Sequence, residues 1–272
     1  MNPDPLVSII VPTHNSAEFL DRVLINLMEQ SYVYKEIIVV DNYSTDTTPI
    51  IAKRWANDFY QFGFERAMQD NFGIYKARGE LIYLTGSDML RDMNYIKQAV
   101  EKINEGYDAI YASVLTDYRV EHFWGKVKAL ERKCYIGDNT IESARFFKKE
   151  VWGKLGRFDE NLVQIEEDFQ HRLDKAGYKT GRIKAREYHL HEEDSLVKIY
   201  KKSYYYGTFM KYYLKKHQSR GIKQLMPIRL SFFNHWFLLI KHPLLTMGLI
   251  IYKIVQYTGG ILGMTRRNNN EE

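Results

Sequence analysis

Short apolar runs alternate with stretches of helical periodicity through the first 114 residues of the chain. Leu6–Val11 and Glu36–Val40 are almost continuously apolar and β-branched, which is the pattern of parallel strands buried on both faces. A weaker strand is predicted at 59–62, and two further strands are predicted at 81–84 and 108–114. Helices are predicted between them, up to about Gln30, after Ser44, over 71–78 and over 93–105. This alternation with short loops predicts an α/β fold with an open, Rossmann-like, mostly parallel central sheet flanked by helices.

Polar residues follow directly after three of these strands. Thr13 and Asn15 follow the first strand, Asp41 and Asp46 the second, and Asp88 the strand at 81–84. Ligands of open parallel sheets bind outside the carboxyl ends of the strands, so the pattern favours one shared site.

The common phosphate-binding signatures are absent from the sequence. The loop after the first strand has no G-x-G-x-x-G, and the chain has no G-x-x-x-x-G-K-[ST] and no G-x-S-x-G. The first half of the chain also lacks the cluster of Lys and Arg that would hold bare phosphates. The remaining option is a divalent cation that bridges a carboxylate and a diphosphate.

A second stretch of interest is Val163–Gly177, which is extended at its start and helical afterwards. Glu166, Glu167 and Asp168 fall in the first helical turn, where carboxylates complement the helix dipole. Phe169, Leu173 and Ala176 recur at helical spacing and are predicted to face the core, and Gly177 is predicted to end the helix. The acids either cap a surface helix or present Asp168 as a catalytic base, and the polar residues upstream favour the base.

Four stretches of the chain together resemble the family 2 glycosyltransferases, inverting enzymes of the GT-A fold. They are VSIIVPTHN (Val7–Asn15), EIIVVDNYSTDTT (Glu36–Thr48), NFGIYKARGELIYLTGSD (Asn71–Asp88) and the segment Phe147–Lys179. The resemblance covers about residues 6–200. It implies a catalytic domain over 1–194, in which 1–114 bind the nucleotide of a sugar donor and 115–194 position the acceptor and supply a base.

The resemblance also implies roles for single residues of the donor site. Pro12, Thr13 and Asn15 would line the pocket of the base and ribose, and Asp41 would accept a hydrogen bond from the nucleobase. Two further residues are expected in the donor site, Arg78 near the phosphates and Ser87 within the metal motif. The donor implied is a UDP- or GDP-linked sugar.

Asp88 matches the last acid of the family's metal-binding D-x-D motif. The first acid of that motif is replaced by Gly86, so the motif reads Gly86-Ser87-Asp88. The resemblance implies Mn²⁺ or Mg²⁺ as cofactor, while the glycine keeps a non-catalytic nucleotide-sugar-binding protein open as an alternative. His189 and His191 share one face of a predicted strand, and His191 is either a further metal ligand or a solvated histidine.

Glu167-Asp168 matches the family's E-D motif, in which the aspartate acts as base. The resemblance therefore implies that Asp168 takes the proton of an acceptor hydroxyl as that hydroxyl attacks the anomeric carbon of the donor sugar. Attack from the face opposite the diphosphate would invert the anomeric centre in one displacement.

Charge is distributed unevenly along the 272 residues, although the net charge is only +5. From Ser195 to the last residue there are 13 Lys+Arg and two acids, whereas residues 1–194 carry 26 Lys+Arg and 32 acids. The N-terminus has no basic segment before its first apolar run, so no signal peptide is predicted. The single cysteine, Cys134, excludes a disulfide framework and suits a reducing compartment, and we therefore expect a cytoplasmic protein.

The basic region, 195–264, is predicted to be helical and membrane-proximal. Ser195–Lys216 interleaves Lys with Tyr, which could suit single-stranded nucleic acid, but no recognised motif accompanies it and nucleic acid is not expected as a partner. Leu225–Ile240 and Pro243–Met264 are predicted as two amphipathic helices in the interface of an anionic membrane, with Trp236 at headgroup level, because the apolar run falls short of the ~20 residues of a span.

The same two helices could instead pack on the catalytic domain or on a second copy of the chain. The membrane interpretation places the protein peripherally on the inner face of the cell membrane and favours a glycan or polyprenyl-linked acceptor. Residues 265–272 are predicted to be a disordered tail.

Overall fold

The computed structural model describes residues 4–138, 141–217 and 230–266. The strands in these ranges are β1 (Val7–Thr13), β2 (Lys35–Asp41), β3 (Asp58–Gln61), β4 (Leu81–Leu84), β5 (Met89–Arg91), β6 (Ala109–Tyr111), β7 (Val114–Thr116), β8 (Phe146–Lys148), β9 (Thr180–Arg182) and β10 (Glu187–His189). The helices are α1 (Ala17–Met28), α2 (Thr48–Trp55), α3 (Arg66–Lys76), α4 (Tyr95–Asn104), α5 (Phe123–Cys134), α6 (Lys149–Leu155), α7 (Ile165–Lys175), α8 (Leu196–Lys216), α9 (Leu230–Asn234), α10 (Trp236–Lys241) and α11 (Pro243–Arg266).

The chain divides into two compact units. The first unit contains the residues up to Ser113 together with 143–160 and 165–188. The second contains 114–142, 161–164 and the chain from His189 onward. The predicted acceptor half, 115–194, is therefore distributed over both units.

A seven-stranded sheet forms the centre of the first unit, in the order β3-β2-β1-β4-β8-β6-β9. β1 runs parallel to β2 and to β4, and β2 runs parallel to β3. β8 is antiparallel to both β4 and β6, whereas β6 and β9 are parallel. The predicted open, mostly parallel sheet is confirmed, with β8 as its antiparallel member.

Burial explains why these segments form the central strands. Every residue of β1 and β4 is buried, as is β2 after its first residue, because helices cover both faces of the sheet. α3 begins five residues before its predicted start, because its first turns bury polar side chains that an apolar pattern does not reveal. One of them, Gln69, donates to the carbonyls of Thr13 and Val40 at 2.9 and 2.7 Å and so ties α3 to the ends of β1 and β2.

The second unit is largely helical, with α5, α8 and α11 packed around Val127, Ile199, Leu249 and Tyr252. α11 is one continuous helix of 24 residues, and it is long and apolar enough to cross a membrane by length and composition. That corrects the sequence-based estimate that the apolar segment was too short.

The remaining C-terminal predictions are only partly covered by the described residues. Residues 218–229 lie outside the described ranges, so α9 and α10 represent the helix predicted over Leu225–Ile240. Thr265 and Arg266 of the predicted tail are the last residues of α11, and 267–272 lie outside the description.

Candidate functional site

Thr13 and Asp41 lie side by side at the carboxyl ends of β1 and β2. Thr13 Oγ1 donates to Asp41 Oδ1 at 3.0 Å. Asp41 is fully buried and also accepts from the amide and hydroxyl of Ser44, at 2.9 and 2.5 Å, and from Gln61 Nε2 at 3.4 Å. The four acceptor positions of its carboxylate are thus all in use, and the weakest contact is the one from Gln61.

The loops after β1, β2 and β4 are joined by hydrogen bonds. Asn15 adopts a left-handed backbone conformation, with φ of 47°, and its amide donates to Ser44 Oγ at 2.7 Å. Asn15 Oδ1 accepts from the amide of Thr45 at 2.9 Å. The hydroxyls of Ser16 and Ser87 are 2.9 Å apart. The structure therefore brings Thr13, Asn15, Asp41 and Ser87 to one edge of the sheet, as predicted.

Helix capping at this edge comes from a carboxylate and not from a hydroxyl. Ser16 directly precedes α1 and Ser44 lies four residues before α2, but their hydroxyls bond to other loop residues. Asp46 instead accepts from the amides of Ala17 and Thr48, at 3.2 and 2.9 Å, and so serves the first turns of both helices. Burial would raise the pKa of Asp46, but the hydrogen bonds that it accepts together keep that pKa below its usual value. Pro12 is buried within β1, opposite Val40.

The Gly86-Ser87-Asp88 loop follows β4 at the same edge of the sheet. A Cβ at Gly86 would lie 2.8 Å from Asp88 Oδ1, so a side chain at position 86 would crowd this carboxylate. Within the described residues, no three His, Cys, Asp or Glu side chains form a metal-binding group. A single carboxylate still fits a cation such as Mg²⁺, which takes most of its ligands from phosphate and water. Asp88 is the residue that would hold it.

Arg78 lies at the opposite edge of the sheet. Its guanidinium pairs with Glu36, with Nε 2.7 Å from Oε2, and with Asp58 at 3.3 Å. Glu36 is the second residue of β2 and is paired with Ser8 at the start of β1, whereas Asp41 ends β2. Hydrogen bonding to Glu36 raises the pKa of Arg78. The structure does not bring Arg78 together with the residues at the carboxyl ends of the strands.

α7 begins at Ile165, and its first turn carries the three predicted acids. Asp168 is fully buried, and its Oδ2 accepts from Arg172 Nε at 2.9 Å. Arg172 also donates to the carbonyls of Leu155 and Gly156, at 2.9 and 2.6 Å. Asp168 therefore orients Arg172, and the hydrogen bonds of Arg172 connect α7 to the end of α6. Gly177 follows the helix at φ of 75° and ends it as predicted, whereas Ala176 is exposed rather than in the core.

Glu166 faces two arginines that the sequence did not single out. Its Oε1 is 2.8 Å from Arg66 on α3 and 3.5 Å from Arg145 before β8. Burial would raise the pKa of Glu166, but the two guanidinium groups lower it below its usual value. Arg145 is also 3.2 Å from the sulfur of Met89 and so connects the start of α7 with the residue after Asp88.

Glu167 and Asp70 are acids whose surroundings favour the protonated form. Burial, reinforced by the charge of Glu166, raises the pKa of Glu167 to about 7. Asp70 on α3 is fully buried, and burial raises its pKa to about 7 as well. Among the described residues neither oxygen of Asp70 accepts a hydrogen bond, and Arg66 Nε lies 3.5 Å away. A carboxyl group that titrates near neutral pH is suited to general base catalysis.

Sequence reasoning missed Arg66, Asp70 and Arg145. The only local signal was the i,i+4 spacing of Arg66 and Asp70, which occurs on many solvated helices. His191, the other predicted metal ligand, is exposed and belongs to the second unit. The predicted donor residues and the α7 acids therefore all lie in the first unit. Arg78 also lies in that unit, but at the opposite edge of the sheet, whereas His191 belongs to the second unit.

Comparison with known proteins adds independent findings. Residues 8–159 match the sequence model of "Glycosyl transferase family 2". The chain is 26% identical over 153 residues to a GalNAc(5)-diNAcBac-PP-undecaprenol beta-1,3-glucosyltransferase of Campylobacter jejuni, covering 52% of this chain and 49% of that protein. It is 28% identical over 170 residues to a PGL/p-HBAD biosynthesis glycosyltransferase of Mycobacterium bovis, covering 57% of this chain and 64% of that protein. The chain therefore spans less than two thirds of the length of either relative.

Among solved structures, the fold is similar to that of the mannosyltransferase PcManGT from Pyrobaculum calidifontis, in complex with GDP-Man and Mn²⁺. The TM-score is 0.68 at 17% identity, and the match covers 98% of this chain and 88% of that one. At this identity the likeness concerns the fold, which is of the GT-A type.

Proposed function

The chain belongs to glycosyl transferase family 2, and we propose that it transfers a sugar from a nucleotide diphosphate sugar to a hydroxyl of a glycan acceptor, with inversion at the anomeric carbon. The observation that carries the proposal is the convergence of Thr13, Asp41 and the Gly86-Ser87-Asp88 loop at one edge of the sheet. Polar groups at that edge are where open α/β sheets bind nucleotides.

For the donor, we propose that Thr13 and Asn15 line the nucleoside pocket and that Asp41 forms its floor. The contact from Gln61 to Asp41 is long, at 3.4 Å, and Gln61 is exposed. A nucleobase N–H can take over that acceptor position, while the shorter bonds from Thr13 and Ser44 keep the carboxylate in place. UDP- and GDP-linked sugars both carry such a donor group.

Asp88 would hold a divalent cation together with the donor. When bound, the cation supplies positive charge at the diphosphate, which gains negative charge as it leaves. Because the protein offers one carboxylate, we expect metal affinity to depend on the presence of the nucleotide diphosphate. PcManGT is in complex with Mn²⁺, which supports this cofactor class.

For the base, the geometry favours Glu167 over the predicted Asp168. Asp168 is fully buried and its carboxylate is committed to Arg172. Glu167 is only partly covered, and burial together with Glu166 raises its pKa to about 7. We therefore propose that Glu167 takes the proton of the acceptor hydroxyl and that Asp168 positions α7 through Arg172.

For the acceptor, we propose a lipid-linked glycan presented at the inner face of an anionic membrane. The relative from Campylobacter jejuni is named for an acceptor linked to undecaprenyl diphosphate, which supports this class. The basic, acid-free segment from Ser195 to Arg266 supports the membrane side of the proposal.

The test is calorimetric titration of the purified protein with UDP, GDP and their sugars, with and without Mn²⁺, followed by turnover. Metal-dependent binding of one nucleotide sugar and slow release of its nucleoside diphosphate, accelerated by a polyprenyl-diphosphate-linked glycan, would support the enzyme. NMR of the product would report the anomeric configuration. Binding without any release of nucleoside diphosphate would support the non-catalytic nucleotide-sugar-binding protein instead.

A further inference from the structure

The consecutive helices α10 and α11 expose a mostly apolar face, formed by side chains that recur at helical spacing. On α11, exposed uncharged positions recur at three- and four-residue spacing: Leu244, Met247, Ile251, Ile254, Thr258, Ile261 and Thr265. Arg266, the last residue of the helix, is exposed and charged. Leu244 and Ile254 are 68% and 61% exposed. Trp236, Phe237 and Ile240 on α10 are exposed to a similar degree. We call these residues of α10 and α11 the apolar face.

The opposite side of α11 is fixed to α8 by direct contact between the two backbones. A Cβ added at Gly263 would lie 2.1 Å from the carbonyl oxygen of Tyr204, and one at Gly259 would lie 2.7 Å from that of Tyr200. A Cβ at Gly207 would likewise meet the carbonyl of Gly260 at 2.2 Å. Glycines allow this approach because they have no side chain, so α8 and α11 pack in direct backbone contact.

A buried ion cluster fixes the middle of α11 to α5. Glu131 is fully buried and pairs with Lys128, at 2.5 Å, and with Lys253 of α11. Tyr135 donates to the same carboxylate at 2.7 Å. Burial alone would raise the pKa of Glu131, but the two ammonium groups lower it well below its usual range. Separating α11 from α5 would leave buried charges without partners, which is strongly unfavourable.

Charge identifies what covers the apolar face. The chain has no Asp or Glu between Asp194 and Glu271, whereas Lys201, Lys215 and Lys241 are exposed on the same helical unit. An apolar face on helices that carry lysines and no acids is complementary to a bilayer that contains anionic lipids. Trp236 at the start of α10 suits the headgroup region.

We propose that α10 and α11 form a monotopic membrane anchor, in which the apolar face lies in one leaflet of an anionic bilayer and α11 does not cross it. Length and composition would allow α11 to span. A span would draw α8, with its lysines, and the buried pair of Glu131 and Lys253 into hydrocarbon, or would tear α11 from both helices. An interfacial position keeps every one of these contacts. The inference deepens the proposed membrane-linked acceptor, and lipid binding is measured without turnover, so each can fail separately.

The first experiment is co-sedimentation of the full chain with phosphatidylcholine vesicles, with and without phosphatidylglycerol. The wild type should bind at least about tenfold more tightly when the anionic lipid is present, and 1 M salt should weaken that binding. The double variant Ile251→Lys/Ile254→Lys should lose about tenfold or more. Ile50→Lys, at a 71% exposed isoleucine of α2, is the control and should bind like the wild type. Equal binding to both vesicle types, or unchanged binding of the double variant, would overturn the proposal.

The second experiment separates lying on the membrane from crossing it. Leu244→Cys and Ile261→Cys, near the two ends of α11, are each made in a Cys134→Ser background and labelled with an environment-sensitive fluorophore. Both labels should enter an apolar environment on vesicle binding and be reduced by dithionite added outside. Protection of one end alone would show a span and refute the monotopic anchor.

Two controls keep these results interpretable. Circular dichroism and donor titration of the double variant report whether the fold is retained, since a misfolded variant would also fail to bind lipid. Light scattering of the vesicle-free protein reports whether a second copy covers the apolar face. A stable dimer that does not bind vesicles would assign this face to self-association and overturn the membrane anchor.

Discussion

Removing the charge of Asp168 and that of Glu167 in separate variants should distinguish a structural acid from a catalytic one. The sequence resemblance assigns the base to Asp168, whereas the structure commits that carboxylate to Arg172 and leaves Glu167 with a pKa raised to about 7. Asp168→Asn and Glu167→Gln are close to isosteric, so each removes a charge and an acceptor with little change in volume.

Asp168→Asn is expected to destabilise the fold by about 3 kcal/mol. Asp168 is fully buried and its partner Arg172 retains 18% side-chain exposure, so removing the carboxylate leaves a largely desolvated guanidinium without its counter-charge. Breaking such pairs typically costs about 3–5 kcal/mol, and the bonds from Arg172 to Leu155 and Gly156 place this site at the lower end. Turnover per folded molecule should fall modestly, because α7 shifts but its base remains.

Glu167→Gln is expected to have the opposite profile. Because burial already disfavours the charged form of Glu167, loss of that charge should leave the free energy of unfolding unchanged or slightly higher at pH 8. Loss of a general base should lower kcat by about 10²- to 10⁴-fold while donor affinity stays the same.

The assay pairs urea unfolding with the release of nucleoside diphosphate, both measured at pH 8. Glu166→Gln serves as the third member of the series, since it leaves Arg66 and Arg145 without that partner but retains the other two acids. If Asp168→Asn were as stable as the wild type and inactive, while Glu167→Gln kept full turnover, Asp168 would be the base and the assignment from geometry would be refuted.

Three further predictions concern charge and metal. Since the pKa of Glu167 is raised to about 7, kcat/KM should decline as pH falls through about 7, and a limb below pH 5 would point to an unshifted acid instead. Folding raises the pKa of Asp70 from 3.8 to about 7, mainly through burial. Between these two pH values the folded protein keeps a proton on Asp70 that the unfolded chain releases. The free energy of unfolding therefore decreases as pH rises across this interval. Asp70→Asn should therefore raise the free energy of unfolding by about 2 kcal/mol at pH 8, with a smaller gain at pH 5, and an equal gain at both values would contradict the linkage. Asp88→Asn should weaken Mn²⁺-dependent donor binding, measured by calorimetry, by about tenfold or more. Ser87→Ala loses a hydrogen bond to Ser16 and should change donor binding far less. Equal losses in the two variants would argue against a cation at Asp88.

The central sheet of the fold follows from the local pattern of apolar and polar residues in the sequence. Uninterrupted apolar runs at β1 and β2 can be buried only in a sheet covered on both faces, and the short loops between alternating strands and helices require parallel neighbours. The same logic placed Thr13, Asp41 and Asp88 at one edge, because the carboxyl ends of parallel strands coincide there. These conclusions depend only on periodicity and chain direction, which the sequence contains.

The roles of the acids on α7 depend on which basic groups lie next to them, and tertiary structure decides that. Three adjacent acids on α7 are alike in sequence, yet Asp168 meets Arg172, Glu166 meets Arg66 and Arg145, and Glu167 is desolvated. Arg66 and Arg145 are about 100 and 21 residues away along the chain, so no local pattern could pair them with α7.

The same distinction applies to Arg78 and to the C-terminal helices. Arg78 matched a donor-site position in the sequence, but its guanidinium is held by Glu36 at the start of β2. The composition of α11 allowed a helix that crosses a membrane, lies on it or packs in a core. Only the packing of its glycines on α8 and of Lys253 on Glu131 shows which face is left exposed. The sequence by itself determined which segments are apolar, helical and extended. Tertiary contacts decided which charges are neutralised, because electrostatic interactions depend on distance and burial rather than on position along the chain.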